Sequence, residues 1–579
     1  MINRNHRSWG LLTLIIIASF TVRVAALAYW QTGAIDNEGA EYARIAENLR
    51  NGIGFVGIAM PGTELLFNPL FPALTAAASF VTHDYEWAAR VVSLLLGGLL
   101  PLPVFGIASR LFSRRIGLVA ALLTVLHPLL VMLSFANYSS EGPYITLLLS
   151  ATYVVVRALN HSSTGAWLLV GSVFGLAYLL RAEAAAAFLI AVMFALTATE
   201  GGAVVKCKRA AAAIGIFLVL TLPEVILIYR STGKVMLEGK STLFFELGTR
   251  ILSAEKSLKV HRQLPDGHEP YSAQTAVWGR EGLIWKSAAY NWAHFAVDTH
   301  LRGTGTAIRT NAEVIREARI TLKESFRVVK EAVRHKALVV VNNLFLNSWL
   351  GPLLGPPFLP ALALLGALRR PWRRPQASSR LFVLLVPVAP IAATFSAFWD
   401  EPRYYFVLLP FLLIWASNGL IEVGLWTKAS SAAVGWRLVA RPVVSKCIIP
   451  GLIGLSIIIY PVKLARGYFT ASRIEKDVGL WIKRQQDHPV RIMDLAYGLP
   501  LAFHANAQHV QFPYCDGDLA LRFLDSAEVD YLILRRGDDF TQYYEDWLTR
   551  GIPDPRAALL HVSPDVDNKY VVYRWRRPG

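Results

Sequence analysis

The 579-residue chain is poor in cysteine, in charge, and above all in acidic charge. Its cysteines, Cys207, Cys447 and Cys515, show no CxxC spacing, which argues against a disulfide framework and a thiolate zinc site. Only 17% of residues are charged against 54% hydrophobic, and mean hydropathy is +0.40. A soluble chain of this length needs far more polar surface, so the composition is that of an integral membrane protein. No Ser–His–Asp arrangement and no HExxH run is present, and His83 and His127 stand isolated, His127-Pro128 suiting a packed kink within a helix.

Acids number 41 against 58 lysines and arginines, a formal charge of +17. That excess does not read as a nucleic-acid surface, because no basic stripe interleaved with aromatics stands outside the short loops. Apolar windows place about eleven spans, at 9–30, 86–109, 116–134, 142–158, 166–180, 184–199, 210–229, 350–368, 380–398, 404–425 and 447–463. The first follows Arg4 and Arg7 and is long enough to be a retained signal anchor, despite Ala26-Leu27-Ala28 resembling a cleavage site. With the N-terminus in the cytoplasm, alternate short loops collect Arg110, Arg114 and Arg115, then Arg157, then Lys206, Lys208 and Arg209. Arg369–Arg380 and Lys428–Lys446 continue the series, while the opposite loops are nearly free of cations. Segments 31–85, 230–349 and 464–579 are then exterior, as is the C-terminus, in the plasma (inner) membrane of a cell envelope.

The exterior segments differ in kind. Residues 31–85 hold an amphipathic helix with Tyr42, Ile45, Ala46 and Leu49 on one face. The following "FNPLFPALTAAASFV", broken by Pro69 and Pro72, reads as a re-entrant or interfacial piece. Segment 230–349 carries a basic amphipathic helix in "NAEVIREARITLKESFRVVKEAVRHKALVVVNNLFL". In 464–579, "VRIMDL", "HVQFPY", "DYLILRR" and "KYVVYRW" read as strands. "YGLPLAFHA", "DLALRFLDS" and "QYYEDWLTRG" between them read as helices, which makes a small α/β domain without a glycine-rich phosphate loop. The expected organisation is a membrane domain, 1–463, and an exterior α/β domain, 464–579.

Ionisable residues gather at the exterior ends of several spans: Arg23, Asp36, Glu38, Glu141, Arg181, Glu183, Asp400, Glu401 and Arg403. A charge within a span costs about 2.5–3.5 kcal/mol on insertion scales, so a set at one level marks a site or a path. Arginines fork onto phosphate oxygens and a carboxylate takes a proton from a hydroxyl, so the set suits an anionic substrate. Plainer readings stand beside this one. Asp36 or Asn37 is also a helix N-cap, Arg23 is placed to snorkel, Arg181 with Glu183 is also a turn pair, and Glu401 with Arg403 is also a surface ion pair.

The run "DNEGAEYARIAENLRNGIGF", then "FNPLFPAL", the stretch from "ARVVSLLLGG" to "SFANYSSE", "GLAYLLRAEAAAAFL" and "EPRYYFVLLPFLLIWASNGL" resembles, in order, the GT-C class of membrane glycosyltransferases. This class includes protein O-mannosyltransferases and the aminoarabinose transferase of lipid A. The resemblance covers the membrane half; segment 230–349 and the last domain match in placement alone. It implies transfer of a single hexosyl or pentosyl unit from a polyprenyl-phosphate donor to a hydroxyl of a lipid, glycan or protein. The acid after the first span, Asp36, becomes the implied base; the usual Asp-Glu pair is split by Asn37, which lets Glu38 share the role. Glu141 matches an acid that supports the donor site or the base, and Glu183, Glu401 and Arg23 are also counted on the donor side. Arg181, in a turn where Ala182 replaces the common proline, and Arg403, after Glu401, face the leaving phosphate. A divalent metal ion beside that phosphate, found in some relatives, is left open. The competing readings are a flippase or transporter of a lipid-linked sugar, and a ligase or polymerase of lipid-linked glycans.

Overall fold

The computed structural model describes residues 2–30, 35–59, 62–135, 140–161, 163–239, 355–369, 376–394, 402–433, 449–459, 474–495, 498–512, 517–535, 542–562 and 570–577, with isolated short pieces elsewhere. The long helix expected at 311–346 lies outside these residues except at single helical positions, and Asp400, Glu401, Cys447 and Cys515 lie outside them altogether.

Among the described residues, helices, most of them apolar, dominate the first three quarters. They are α1 (Ile2–Trp30), α2 (Asn37–Arg50), α3 (Leu70–Thr82), α4 (Tyr85–Leu99), α5 (Pro101–Leu111), α6 (Arg114–Leu126), α7 (Pro128–Met132), α8 (Glu141–Asn160), α9 (Thr164–Leu180), α10 (Ala184–Thr197) and α11 (Ala203–Thr232). After two short strands, β1 (Val277–Gly279) and β2 (Gly282–Ile284), come α12 (Leu359–Leu368), α13 (Gln376–Leu385), α14 (Val388–Thr394), α15 (Leu408–Ala433) and α16 (Ile449–Ile459). Among the described residues five stretches are both long and apolar enough to cross a bilayer: Trp9–Tyr29, Tyr85–Leu111, Glu141–Asn160, Ala203–Thr232 and Leu408–Ser431. Shorter apolar helices lie at Leu70–Thr82, Thr164–Leu180, Ala184–Thr197, Leu359–Leu368, Gln376–Ala392 and Pro450–Ile459. The chain is a multi-pass helical membrane protein.

Local chemistry explains the breaks. Ser113 caps α6 by accepting the Ile116 N–H, and Ser163 caps α9 through Ala166. His127 is buried where α6 ends and α7 begins at Pro128, as the kink reading expected. The stretch "FNPLFPAL" leads into a short helix rather than a full-length span. Pro69 is the N-cap of α3 and Pro72 lies in its first turn, where a missing N–H costs nothing, so the prolines start a helix that packs along α4.

Residues 474–577 form a five-stranded mixed sheet in the order β4-β3-β5-β7-β6. The strands are β3 (Arg491–Asp494), β4 (Gln508–Gln511), β5 (Tyr531–Arg535), β6 (Ala557–Val562) and β7 (Tyr570–Trp575). The helices are α17 (Ile474–Arg484), α18 (Leu499–His504), α19 (Gly517–Ser526) and α20 (Gln542–Arg550). Strand β3 pairs in parallel with β4 and β5, and β7 runs antiparallel to β5 and β6. The sequence reading had no place for α17 or β6. Side chains alternate across the sheet. Ile492, Tyr531, Ile533 and Val572 join the apolar core that runs on into the membrane helices, while Met493, Leu532, Leu534 and Val571 close a second core beneath α19 and α20.

Candidate active site

Helix α2 begins at Asp36, whose Oδ1 accepts the Gly39 N–H at 2.6 Å. The capping role weighed from the sequence is therefore real, and it fixes the carboxylate at the end of a rigid helix beside Glu38. Burial raises the Asp36 carboxyl well above its usual range, and the charges of Glu38 and Glu141 push it the same way. The Gly39 N–H and Arg403 pull against them.

Two arginines tie together acids from separate connections. Arg403, on the 3₁₀ turn Pro402–Tyr405 ahead of α15, places Nη1 2.7 Å from Glu38 Oε2 and 3.6 Å from Glu141 Oε1. Arg181, at the C-cap of α9, donates from Nη1 to Glu141 Oε1 at 2.7 Å and from Nη2 to Glu183 Oε1 at 3.1 Å. Glu141 opens α8 and is buried. Both arginines lie beside the Tyr404 ring, at 5.9 and 5.8 Å from its centroid, and Arg181 is equally close to Tyr144. A pocket lies here, lined by Glu141, Tyr144, Arg181, Glu183, Arg403 and Tyr404.

The structure thus brings together Asp36, Glu38, Glu141, Arg181, Glu183 and Arg403. It does not bring Arg23 to them. Arg23 is fully buried in the bundle, where it donates to the Ser134 hydroxyl at 2.9 Å and to Ser19 Oγ at 2.6 Å, so it does not snorkel. Among the described residues no three His, Cys, Asp or Glu side chains group as a metal site. The acids nearest the pocket are turned onto arginines, and no step is assigned to a metal. The sequence reading missed Tyr42, whose hydroxyl lies 3.1 Å from Ser140 Oγ, and the pocket residues Tyr144 and Tyr404. A usable signal existed for both pocket tyrosines: Tyr144 sits one helical turn after Glu141, and Tyr404 directly follows Arg403.

Residues 67–227 match the family model described as dolichyl-phosphate-mannose-protein mannosyltransferase. The architecture is the GT-C membrane fold. Over most of its length the chain superposes on the apo oligosaccharyltransferase of Archaeoglobus fulgidus, with TM-score 0.57 and 14% identity, covering 91% of this chain and 69% of that one. The complex of the same organism's AglB with an inhibitory peptide and dolichol-phosphate is similar at TM-score 0.57 and 13% identity, covering 92% and 69%. ArnT from Cupriavidus metallidurans bound to undecaprenyl phosphate matches at TM-score 0.54 and 12% identity, covering 98% of each chain. No curated protein matches the sequence.

Proposed function

We propose that the chain is an inverting glycosyltransferase that moves a single sugar from a polyprenyl-phosphate donor to an acceptor hydroxyl at the outer face of the membrane. The observation that carries this reading is the convergence of Glu141, Arg181, Glu183 and Arg403 on one pocket, with Glu38 paired to Arg403 and the Asp36 carboxyl within electrostatic reach of Glu38, Glu141 and Arg403. The family match over 67–227 and the structures solved with dolichol-phosphate and undecaprenyl phosphate support a lipid-phosphate donor. The same reading carries eleven crossings, a cytoplasmic N-terminus and an exterior α/β domain after residue 463.

In the reaction, the acceptor O–H gives its proton to Asp36 as its oxygen bonds to the anomeric carbon. The bond from that carbon to the phosphate oxygen breaks, and the electron pair leaves with the lipid phosphate. Arg181 and Arg403 receive that charge; held in place by Glu141, Glu183 and Glu38, they need little reorganisation as it develops. A single displacement inverts the anomeric centre. Glu38 is committed to Arg403, whereas the hydrogen bond of Asp36 is a capping bond through Oδ1, which leaves Oδ2 for the proton and favours Asp36 as base.

The test is consumption of labelled polyprenyl-phosphate sugar by purified protein with envelope lipids as acceptors. Asp36→Asn is expected to lower turnover by ~10²–10⁴ while undecaprenyl phosphate binding is kept. Equal rates for variant and wild type would remove Asp36 as base. Transbilayer movement of the lipid-linked sugar with no glycosidic product would instead make the charges a transport path.

A further inference from the structure

Helix α2 carries the proposed acid pair at its N-terminus, and its flank is fastened to the C-terminal sheet domain at two successive turns. At the first turn, the buried Glu41 accepts the Ile58 N–H at 2.9 Å and lies 3.3 Å from the Ala59 nitrogen. Gly57 makes this approach possible, because a Cβ there would overlap the Glu41 carboxylate. The Ile58 carbonyl in turn accepts the His509 N–H at 3.3 Å, so the Glu41 loop covers the edge strand β4. One turn on, Arg44 donates to Asn506 Oδ1 at 2.6 Å and to the Phe503 carbonyl at 3.2 Å, with its guanidinium over the Phe503 ring. Asn506 holds φ +53, a left-handed turn that joins α18 to β4. The partners on the C-terminal side, Phe503, Asn506 and His509, fall within one helix–turn–strand unit, Leu499–Gln511, which Arg44 reaches directly and Glu41 through the Ile58 loop.

A 14-residue helix does not bend easily, so whatever fixes its flank fixes its end. Asp36 lies eight residues before Arg44, about 12 Å along the axis at 1.5 Å per residue. We propose that Glu41 and Arg44 are positioning residues through which the unit 499–511 of the C-terminal domain sets the placement of Asp36 and Glu38. The sheet domain then works as part of the catalytic frame, and its seat on α2 tunes transfer. The inference rests on the proposed transferase reading for its consequence, but the mechanical coupling stands by itself, and the experiment separates the two.

Full-length protein in lipid nanodiscs serves for both measurements. Hydrogen exchange of the Gly39 and Ala40 amides reports the α2 start without any substrate. Arg44→Ala and Asn506→Ala are each expected to speed that exchange about tenfold, and the double variant to do no more than either single one. Arg44→Lys, which keeps one donor, is expected to fall between. On the activity side, Arg44→Ala is expected to lower kcat about tenfold, since small misplacements of reacting groups cost up to ~10²-fold, with undecaprenyl phosphate affinity within about twofold. Unchanged exchange at Gly39 and Ala40 in Arg44→Ala overturns the coupling. Faster exchange with unchanged kcat overturns the positioning role. A wild type that transfers no sugar refutes the transferase reading and leaves the exchange result to decide the coupling. Size-exclusion profiles confirm that the variants fold, and a misfolded Arg44→Ala passes the test to Asn506→Ala.

Discussion

At the scale of single residues, one carboxylate serves two ends. Asp36 caps α2 through Oδ1, and its burial beside Glu38 and Glu141 raises its affinity for a proton. Both follow from its place at the start of a helix in a partly closed site. The raised value has a sign that can be checked. A base acts only when deprotonated, so kcat/KM should climb with pH through the Asp36 titration, about tenfold per unit below it. The midpoint of that limb should lie clearly above the ordinary aspartate value of about 3.9. A rate that stays flat down to pH 4 would remove Asp36 from the titrating step. Arg23 marks the limit of residue-level reading. Its sequence context gives a cation near an exterior helix end, but only the packing of α1 against Ser134 shows that it is buried on serine partners and does not line the pocket.

Between elements, close helix contacts replace the hydrophobic drive that lipid removes. Helices α12 and α15 cross where Gly366 and Gly419 face each other's backbones, and a Cβ on either would overlap the opposing carbonyl, of Trp415 or Leu362. Asn418 Nδ2 seals the crossing by donating to the Gly366 carbonyl at 2.8 Å. Because α15 follows directly on the turn that holds Arg403, the crossing also supports the site. Gly419→Val should therefore force the helices apart and lower stability by ~1–3 kcal/mol, read as an earlier thermal unfolding of the detergent-solubilised protein. An unshifted melt would mean that the crossing adapts. These helices were readable as apolar runs. Their contacts were not, since a lone glycine in an apolar run does not say which helix it will meet. The prolines of "FNPLFPAL" left the helix start open for a related reason: whether Pro72 breaks or begins a helix depends on where the first turn starts.

For the whole molecule, the sheet domain and the membrane helices share one continuous apolar core, and ionic contacts reinforce the junction. Lys476 on α17 lies 2.9 Å from Glu86 at the start of α4. Deeper in, Arg535 at the end of β5 holds Glu475 at 2.5 Å and the fully buried Asp494 at 3.4 Å. Burial pushes Asp494 up to about 6, with Arg535 pulling it back. Removing the arginine strands two acids in a poorly solvated place. Arg535→Ala should cost about 3–5 kcal/mol near pH 8. Without Arg535 the folded acids bind protons more readily than the unfolded chain does, so the loss should shrink as pH falls toward 5. Equal destabilisation at both pH values, by thermal melts, would show that packing and not charge carries the effect.

The sequence by itself determined the apolar helices, the low charge, the strands β3, β4, β5 and β7 and the roster of acids and arginines, because each is written in local composition and period. Tertiary structure alone decided who meets whom. Glu38 and Arg403 are 365 positions apart and Glu141 and Arg181 are 40 apart, and their pairing depends on how α2, α8, α9 and α15 pack. The same holds for Arg44 with Asn506, 462 positions away. Local pattern fixes which face a helix buries; only the three-dimensional packing of faces from distant segments fixes which side chains converge, and the candidate site is made of such convergences.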